Sequence, residues 1–132
     1  MSDESGAPNA ALPDLAMHAV VLDCAETEPL VSFWSAALGY IAWFEPFGQF
    51  AGLKPPPDDP RRGLALIFQK VPETKMVKNR AHVDYEAANR AAEVQRLVGL
   101  GGTLVREVDE GSGMRWTVMA DPAANEFCVA QK

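Results

Sequence analysis

Three features of the sequence predict an α+β fold built from two βαβββ modules. The order strand, helix, Leu-Gly, three strands can be traced twice along the chain. The two Leu-Gly pairs, Leu38-Gly39 and Leu100-Gly101, stand 62 residues apart. A length of 132 residues suits one domain with a single sizeable core. One such module would expose an apolar sheet face, whereas two can bury it against each other. A ferredoxin-like α+β sandwich is the alternative, although it needs fewer strands than this sequence offers.

The first fifteen residues, MSDESGAPNAALPDL, are small, polar and proline-bearing, and read as a flexible tail over 1–15. The domain is expected over 16–132, with modules at about 16–72 and 78–132. Met17 to Cys24 is a short β-branched run, a buried strand. Thr27 then offers an N-cap, and Pro29 sits in the first turn, where a missing N–H costs nothing. Leu30, Phe33, Trp34, Ala37 and Leu38 recur on one helical face, and Gly39 ends the helix. Strands are expected at Tyr40 to Glu45, Gln49 to Leu53 and Leu64 to Val71. Between the last two, KPPPDDPRRG carries too many prolines for regular structure and reads as a loop.

The second half opens with a strand at Arg80 to Tyr85. A helix follows over Ala87 to Val98, with Ala87, Ala91, Val94, Leu97 and Val98 inward. Thr103 to Val108, Arg115 to Met119 and Glu126 to Gln131 supply three more strands, joined by the turn-forming EGSG and DPAAN segments.

Composition excludes several classes of function. The net charge is −6, and neither tail nor body presents the positive face that nucleic acid demands. No apolar run approaches the roughly 18 residues that cross a bilayer, so no membrane partner is expected. Met1 to Asp14 carries Asp3, Glu4 and Asp14, no Lys or Arg, and no apolar signal core. A cytoplasmic location is the expectation. Cys24 and Cys128, far apart and outside any CxxC spacing, read as reduced thiols filling the core.

The segments VLDCAETEPLVSFWSAALGY, KNRAHVDY and ADPAANEFCV, with the Leu-Gly pair after the second helix, occur in one order and spacing. Together they resemble the glyoxalase-like, bleomycin-resistance-like branch of the vicinal oxygen chelate superfamily, from about Met17 to the C-terminus. The resemblance implies two modules curled into mixed or antiparallel half-cups, helices outside and a small-molecule site within. It also implies a homodimer, since relatives pair to cover open strand edges. Metal-dependent members supply one ligand from the first and one from the last strand of each module. Carried over, these positions fall on His18, Gln69 (to within a residue), His82 and Cys128.

Here the sequence departs from its relatives. Glyoxalase I-like members carry a carboxylate where this chain has Cys128, and the nearest in sequence is Glu126. A hard divalent metal wants carboxylate oxygens, and the glyoxalase reaction needs a carboxylate to move a proton. No metal cofactor is therefore favoured. A His₂Cys set with an amide would select zinc if any metal bound.

Other candidates carry two readings. Arg80, His82 and Asp84 share one strand face, so Arg80 either holds an anionic substrate group at the rim or pairs with Asp84. Trp43, Phe50 and Trp116 lie on strands and either form a stacking wall or simply pack. Cys128 reads as an inert thiol rather than a nucleophile. Two functions remain open. One is an isomerase or lyase acting on a small oxygenated substrate, without glyoxalase I activity. The other is a non-catalytic binder that sequesters a small aromatic or hydrophobic molecule.

Overall fold

The structure, a computed structural model, describes residues 12–61 and 63–132. The expected tail therefore lies, for residues 1–11, outside the described residues. The first module runs β1 (Ala19–Cys24), α1 (Thr27–Leu38), β2 (Ile41–Phe47), β3 (Phe50–Lys54) and β4 (Ala65–Lys70). The second runs β5 (Val83–Ala87), α2 (Arg90–Gly99), β6 (Thr103–Asp109), β7 (Arg115–Ala120) and β8 (Glu126–Gln131). Each module folds one four-stranded mixed sheet, ordered β1-β4-β3-β2 and β5-β8-β7-β6. In each, the first and last strands pair in parallel and the rest antiparallel. α1 packs on β2, β3 and β4, and α2 on β5, β6 and β8. The expected α+β architecture of two βαβββ modules is what the chain adopts.

Local chemistry moves several boundaries. α1 begins at Thr27 itself, and Glu26 before it makes no side-chain cap. Pro29 still lies in the first turn, among N–H groups with no partner inside the helix. Gly39 takes the left-handed conformation (φ 69°), and its N–H donates to the Ser35 carbonyl. The second helix is shorter than its apolar spacing suggests. Ala87 still belongs to β5, paired with Gln131, and the Asn89 side chain caps α2 by accepting from the Ala92 N–H. Its buried stripe shrinks to Val94 and Leu97, while Ala91 and Val98 are exposed. Similarly, β5 starts at Val83 rather than Arg80, so Arg80 and His82 stand on the approach to the strand.

The core joins the modules across their helix sides. Leu30, Phe33, Trp34 and Ala37 are buried from α1, as expected. The Trp34 ring lies 4.9 Å from Phe127 of β8 and stacks on Tyr85 of β5 at 5.4 Å. Burial pushes the Tyr85 phenol far above its ordinary range. Trp34 Nε1–H donates to Asp121 in the β7–β8 turn at 3.0 Å, and Asn125 Nδ2–H from that turn reaches the Asp23 carbonyl of β1. Arg96 of α2 donates to the Ala36 and Ala37 carbonyls near the end of α1, where backbone acceptors lack helical partners. Among the described residues no helix is long and apolar enough to cross a membrane.

Candidate functional site

Pairing register sets out the helix-free face of each sheet. In the second module one row of paired residues crosses all four strands: Asp84 (β5), Cys128 (β8), Val118 (β7) and Arg106 (β6). Side chains paired across a ladder point to the same face. The opposite parity (Tyr85, Phe127, Val129, Met119) fills the core with α1 and α2. The row forms the floor of a hollow of about 630 Å³. Trp116 and Met114 give it an apolar wall, Lys78, Arg106, Arg115 and Lys132 stand around it with the acids Asp84 and Glu126, and Arg115 is paired with Asp109 at 3.2 Å. This is a basic concentration in a chain of net charge −6.

The matching row in the first module carries no such chemistry. Val21 lies three residues before the end of β1, as Asp84 does in β5, and it pairs with Ile67. Ile67 pairs with Gly52, which faces Phe44. That row is Val21, Ile67, Gly52 and Phe44, without a titratable side chain.

At the floor of the hollow, His82, Asp84 and Cys128 converge, with one donor atom from each within 4.8 Å of the others. His82 Nε2 lies 3.2 Å from Asp84 Oδ1. Burial, and next the neighbouring Asp84 carboxylate, push the Cys128 thiol above its usual pKa, against the weaker pull of Arg106 and Lys78. The order of groups matters. A thiol nucleophile is activated by an imidazole that a carboxylate orients from behind. Here the carboxylate contacts both partners and holds the proton on sulfur, so the trio does not make a nucleophilic cysteine.

The sequence candidates are placed as follows. His82, Trp116 and Cys128 line the hollow. Gln69 does not; it borders a groove of about 950 Å³ between the modules, where His82 and Glu126 also appear. His18 precedes β1, exposed, its ring edge-on to Trp43 at 5.2 Å. His18 and His82 are therefore not counterparts, and Ile67, not Gln69, occupies the position that matches Cys128. The resemblance carries these positions over by their place in each module, and the long proline-bearing loop and the short approach to β5 shift that placement. Phe50 is half-buried and pairs with Gln69. Arg80 is exposed and outside the hollow, and Asp84 pairs with His82 instead of Arg80. The residues the sequence did not single out are Asp84 as a site group, Arg106, Arg115 and Met114. Alternation from His82 already put Asp84 on its face; Arg106 needs the register of two further strands.

The second buried thiol, Cys24, belongs to the core. Burial, then Asp121 and Asp23, raise its pKa, and its Sγ–H donates to the Gln69 carbonyl.

A two-module α+β domain with a polar hollow on one open sheet face is thus the class that fold and site define. The glyoxalase-like domain family matches residues 19–130. The chain belongs to that family, within the vicinal oxygen chelate superfamily. No curated protein matches it in sequence. Among solved structures, a glyoxalase/bleomycin resistance protein/dioxygenase family enzyme from Burkholderia phytofirmans is 16% identical (TM-score 0.65), covering 86% of this chain and 95% of its own. A lactoylglutathione lyase from Agrobacterium tumefaciens is 15% identical (TM-score 0.63), covering 91% and 96%. An E126Q mutant of the fosfomycin resistance protein FosX from Listeria monocytogenes, complexed with Mn(II) and dihydroxypropylphosphonic acid, is 11% identical (TM-score 0.71), covering 90% of each chain. At these identities the likeness is one of fold.

The two-module metal set implied by the resemblance does not fit the residues present. Val21 and Ile67 supply no donor at the first module's positions, and His18 lies against Trp43. Among the described residues, the donors that converge all belong to the second module.

Proposed function

We propose that this chain is a small-molecule-binding protein whose ligand occupies the second module's hollow, and that the ligand is a small oxygenated anion with an apolar or aromatic body. The observation that carries this reading is the arrangement of Arg106 and Lys78 around the hollow beside Trp116 and Met114, with Arg115 held at its edge by Asp109. Guanidinium and ammonium groups recognise carboxylate or phosphonate oxygens, and the ring and thioether cover the rest. Catalysis of the isomerase or lyase kind is the favoured activity, because His82 and Asp84 offer a proton acceptor at the same floor. The alternative is a non-catalytic binder of the bleomycin-resistance kind. Glyoxalase I activity is not expected, since the first module contributes no metal ligand at Val21 or Ile67.

Titration of tryptophan fluorescence with paired anionic and neutral aromatic ligands tests the reading, with W116F assigning the signal. Aromatic carboxylates should bind, and Arg106→Ala should weaken them by about 10- to 100-fold, the worth of a charge-assisted hydrogen bond. Equal binding of the neutral analogues, or an unchanged affinity in R106A, would remove the anion-binding assignment. Conversion of a bound carbonyl compound that is lost in D84N would select enzyme over binder.

A further inference from the structure

We infer that the cleft between α1 and α2, on the helix side of the sheets, is a second binding site, which takes a small neutral molecule with an apolar body and a hydrogen-bond acceptor, such as a ketone or an ester. It is separate from the hollow and does not depend on what the hollow binds.

Topology leaves the space. α1 packs on the sheet of the first module and α2 on that of the second, and between them lies a pocket of about 370 Å³. Small-molecule sites span about 300–1,000 Å³, whereas voids in a packed interior are mostly no larger than a water molecule. The pocket backs onto the hollow through the same strands. Val83, Tyr85 and Ala87 of β5 and Phe127 and Val129 of β8 line it, while Asp84 and Cys128 between them face the hollow. Ala37 of α1 and Leu97 of α2 give it apolar sides.

A single hydroxyl selects the acceptor. Trp34 stacks on Tyr85, and Phe127 meets both rings at a steep angle, so the phenol ring is held in place. The Trp34 N–H is committed to Asp121, and the Tyr40 hydroxyl donates to the Leu64 carbonyl at 2.9 Å. Among the described residues the Tyr85 hydroxyl has no hydrogen-bond partner. Tyr85 also borders the groove between the modules, but it feels Tyr40, which lines this pocket, more than Asp121. A partly buried hydroxyl costs stability unless its proton is accepted, and phenylalanine would avoid that cost. An acceptor on a ligand accounts for the hydroxyl.

Charge excludes an anion. Arg61 and Arg96 at the rim are held by Asp59 and Glu93, and both donate to carbonyls at the end of α1. Glu86 adds a further negative charge. An anion would therefore meet guanidiniums already neutralised, unlike at the hollow, where Lys78 and Arg106 stand.

The test titrates the full chain with three probes of similar shape, read by heteronuclear NMR. These are acetonaphthone (a neutral ketone), ethylnaphthalene (without an acceptor) and naphthoate (an anion). Acetonaphthone should shift the Trp34 indole N–H and the Ala87 and Leu97 amides, and leave the Trp116 indole and the Met114 amide in place. Ethylnaphthalene should bind there more weakly by roughly two- to tenfold, the worth of one neutral hydrogen bond. Tyr85→Phe should erase that preference and leave the thermal midpoint unchanged or higher, because the hydroxyl has no protein partner to lose. Ala87→Leu, which fills part of the pocket, should weaken both neutral probes. Neutral probes that leave Trp34 unmoved, or a ketone preference that survives in Y85F, overturn the inference. Naphthoate that shifts Trp34 as strongly as the ketone overturns it too. Naphthoate bound at Trp116, with acetonaphthone bound nowhere, defeats this site and leaves the hollow standing. Acetonaphthone bound at Trp34, with naphthoate bound nowhere, does the reverse.

Discussion

Asp121 is a buried acid held by four donors: Trp34 Nε1–H, the backbone N–H groups of Ala123 and Asn125, and Asn125 Nδ2–H. Burial raises its pKa above the usual carboxylate value, and these hydrogen bonds oppose the rise without cancelling it. Its partners reach from the β7–β8 turn to α1, so this one side chain fastens the modules together. Asp121→Ala should cost about 3 kcal/mol in urea unfolding, because buried donors lose their acceptor. Asp121→Asn should cost nearly as much, since its amide N–H would face the donors of Trp34 or Asn125. The sign of the pH dependence follows from the raised pKa. Stability from this group is fully present below the unfolded value and is lost as pH rises through the folded one. The gap between wild type and D121A should therefore be wider at pH 4 than at pH 7. A gap that widens toward neutrality would mean the hydrogen bonds outweigh burial.

At the scale of elements, two devices shape the first module. The Phe44 ring lies over Gly52 on the neighbouring strand, and a Cβ at that glycine would enter the ring. Gly52→Ala should destabilise by about 1–3 kcal/mol, the usual cost of overpacking. Most of that penalty should vanish in an F44A background, as a double-mutant cycle would read out. The second device is the proline-bearing loop. Arg61 donates both to Asp59 and to the Leu38 carbonyl at the end of α1, capping the helix from outside. Its hydrogen bonds to Asp59 lower that carboxylate to about 2. The contribution is present above the ordinary value of 3.8 and is lost as pH falls through about 2. An NMR titration should find the Asp59 carboxyl near 2, and a value near 4 would mean that the clasp is absent in solution. Helix α1 and strand β8 were legible because a dense apolar stripe and firm turn residues fix them. α2 and β5 were less so: alanines at helical spacing fit a strand end as well as a helix start, and only the Ala87–Gln131 pairing decides.

For the whole molecule, the repeat was legible and its asymmetry was not. Both modules share element order, and the resemblance implies ligands from each. Yet the matched rows read Asp84, Cys128, Val118, Arg106 in one and Val21, Ile67, Gly52, Phe44 in the other. That contrast emerges only once register is known, because a one-residue slip moves every side chain to the opposite face. The same layout bears on assembly. Each sheet has two edge strands: β1 and β5 line the groove between the modules, and β2 and β6 form the opposite edges. β6 exposes Leu104 and Val105 at a register irregularity, Val98 and Leu100 are exposed at the end of α2, and β2 begins with exposed Ile41. Uncovered strand edges with apolar flanks invite pairing with a second copy, and closed two-fold dimers are the commonest result. We expect a symmetric homodimer burying more than roughly 1,000 Å² in total, the size a specific interface needs. Light scattering at micromolar concentration should report twice the 14.3 kDa chain mass. Val105→Lys, which places a charge on the exposed β6 edge, should shift that value toward the monomer while the circular dichroism spectrum is kept. A wild-type monomer at that concentration would defeat the dimer, and a V105K dimer would move the interface away from β6.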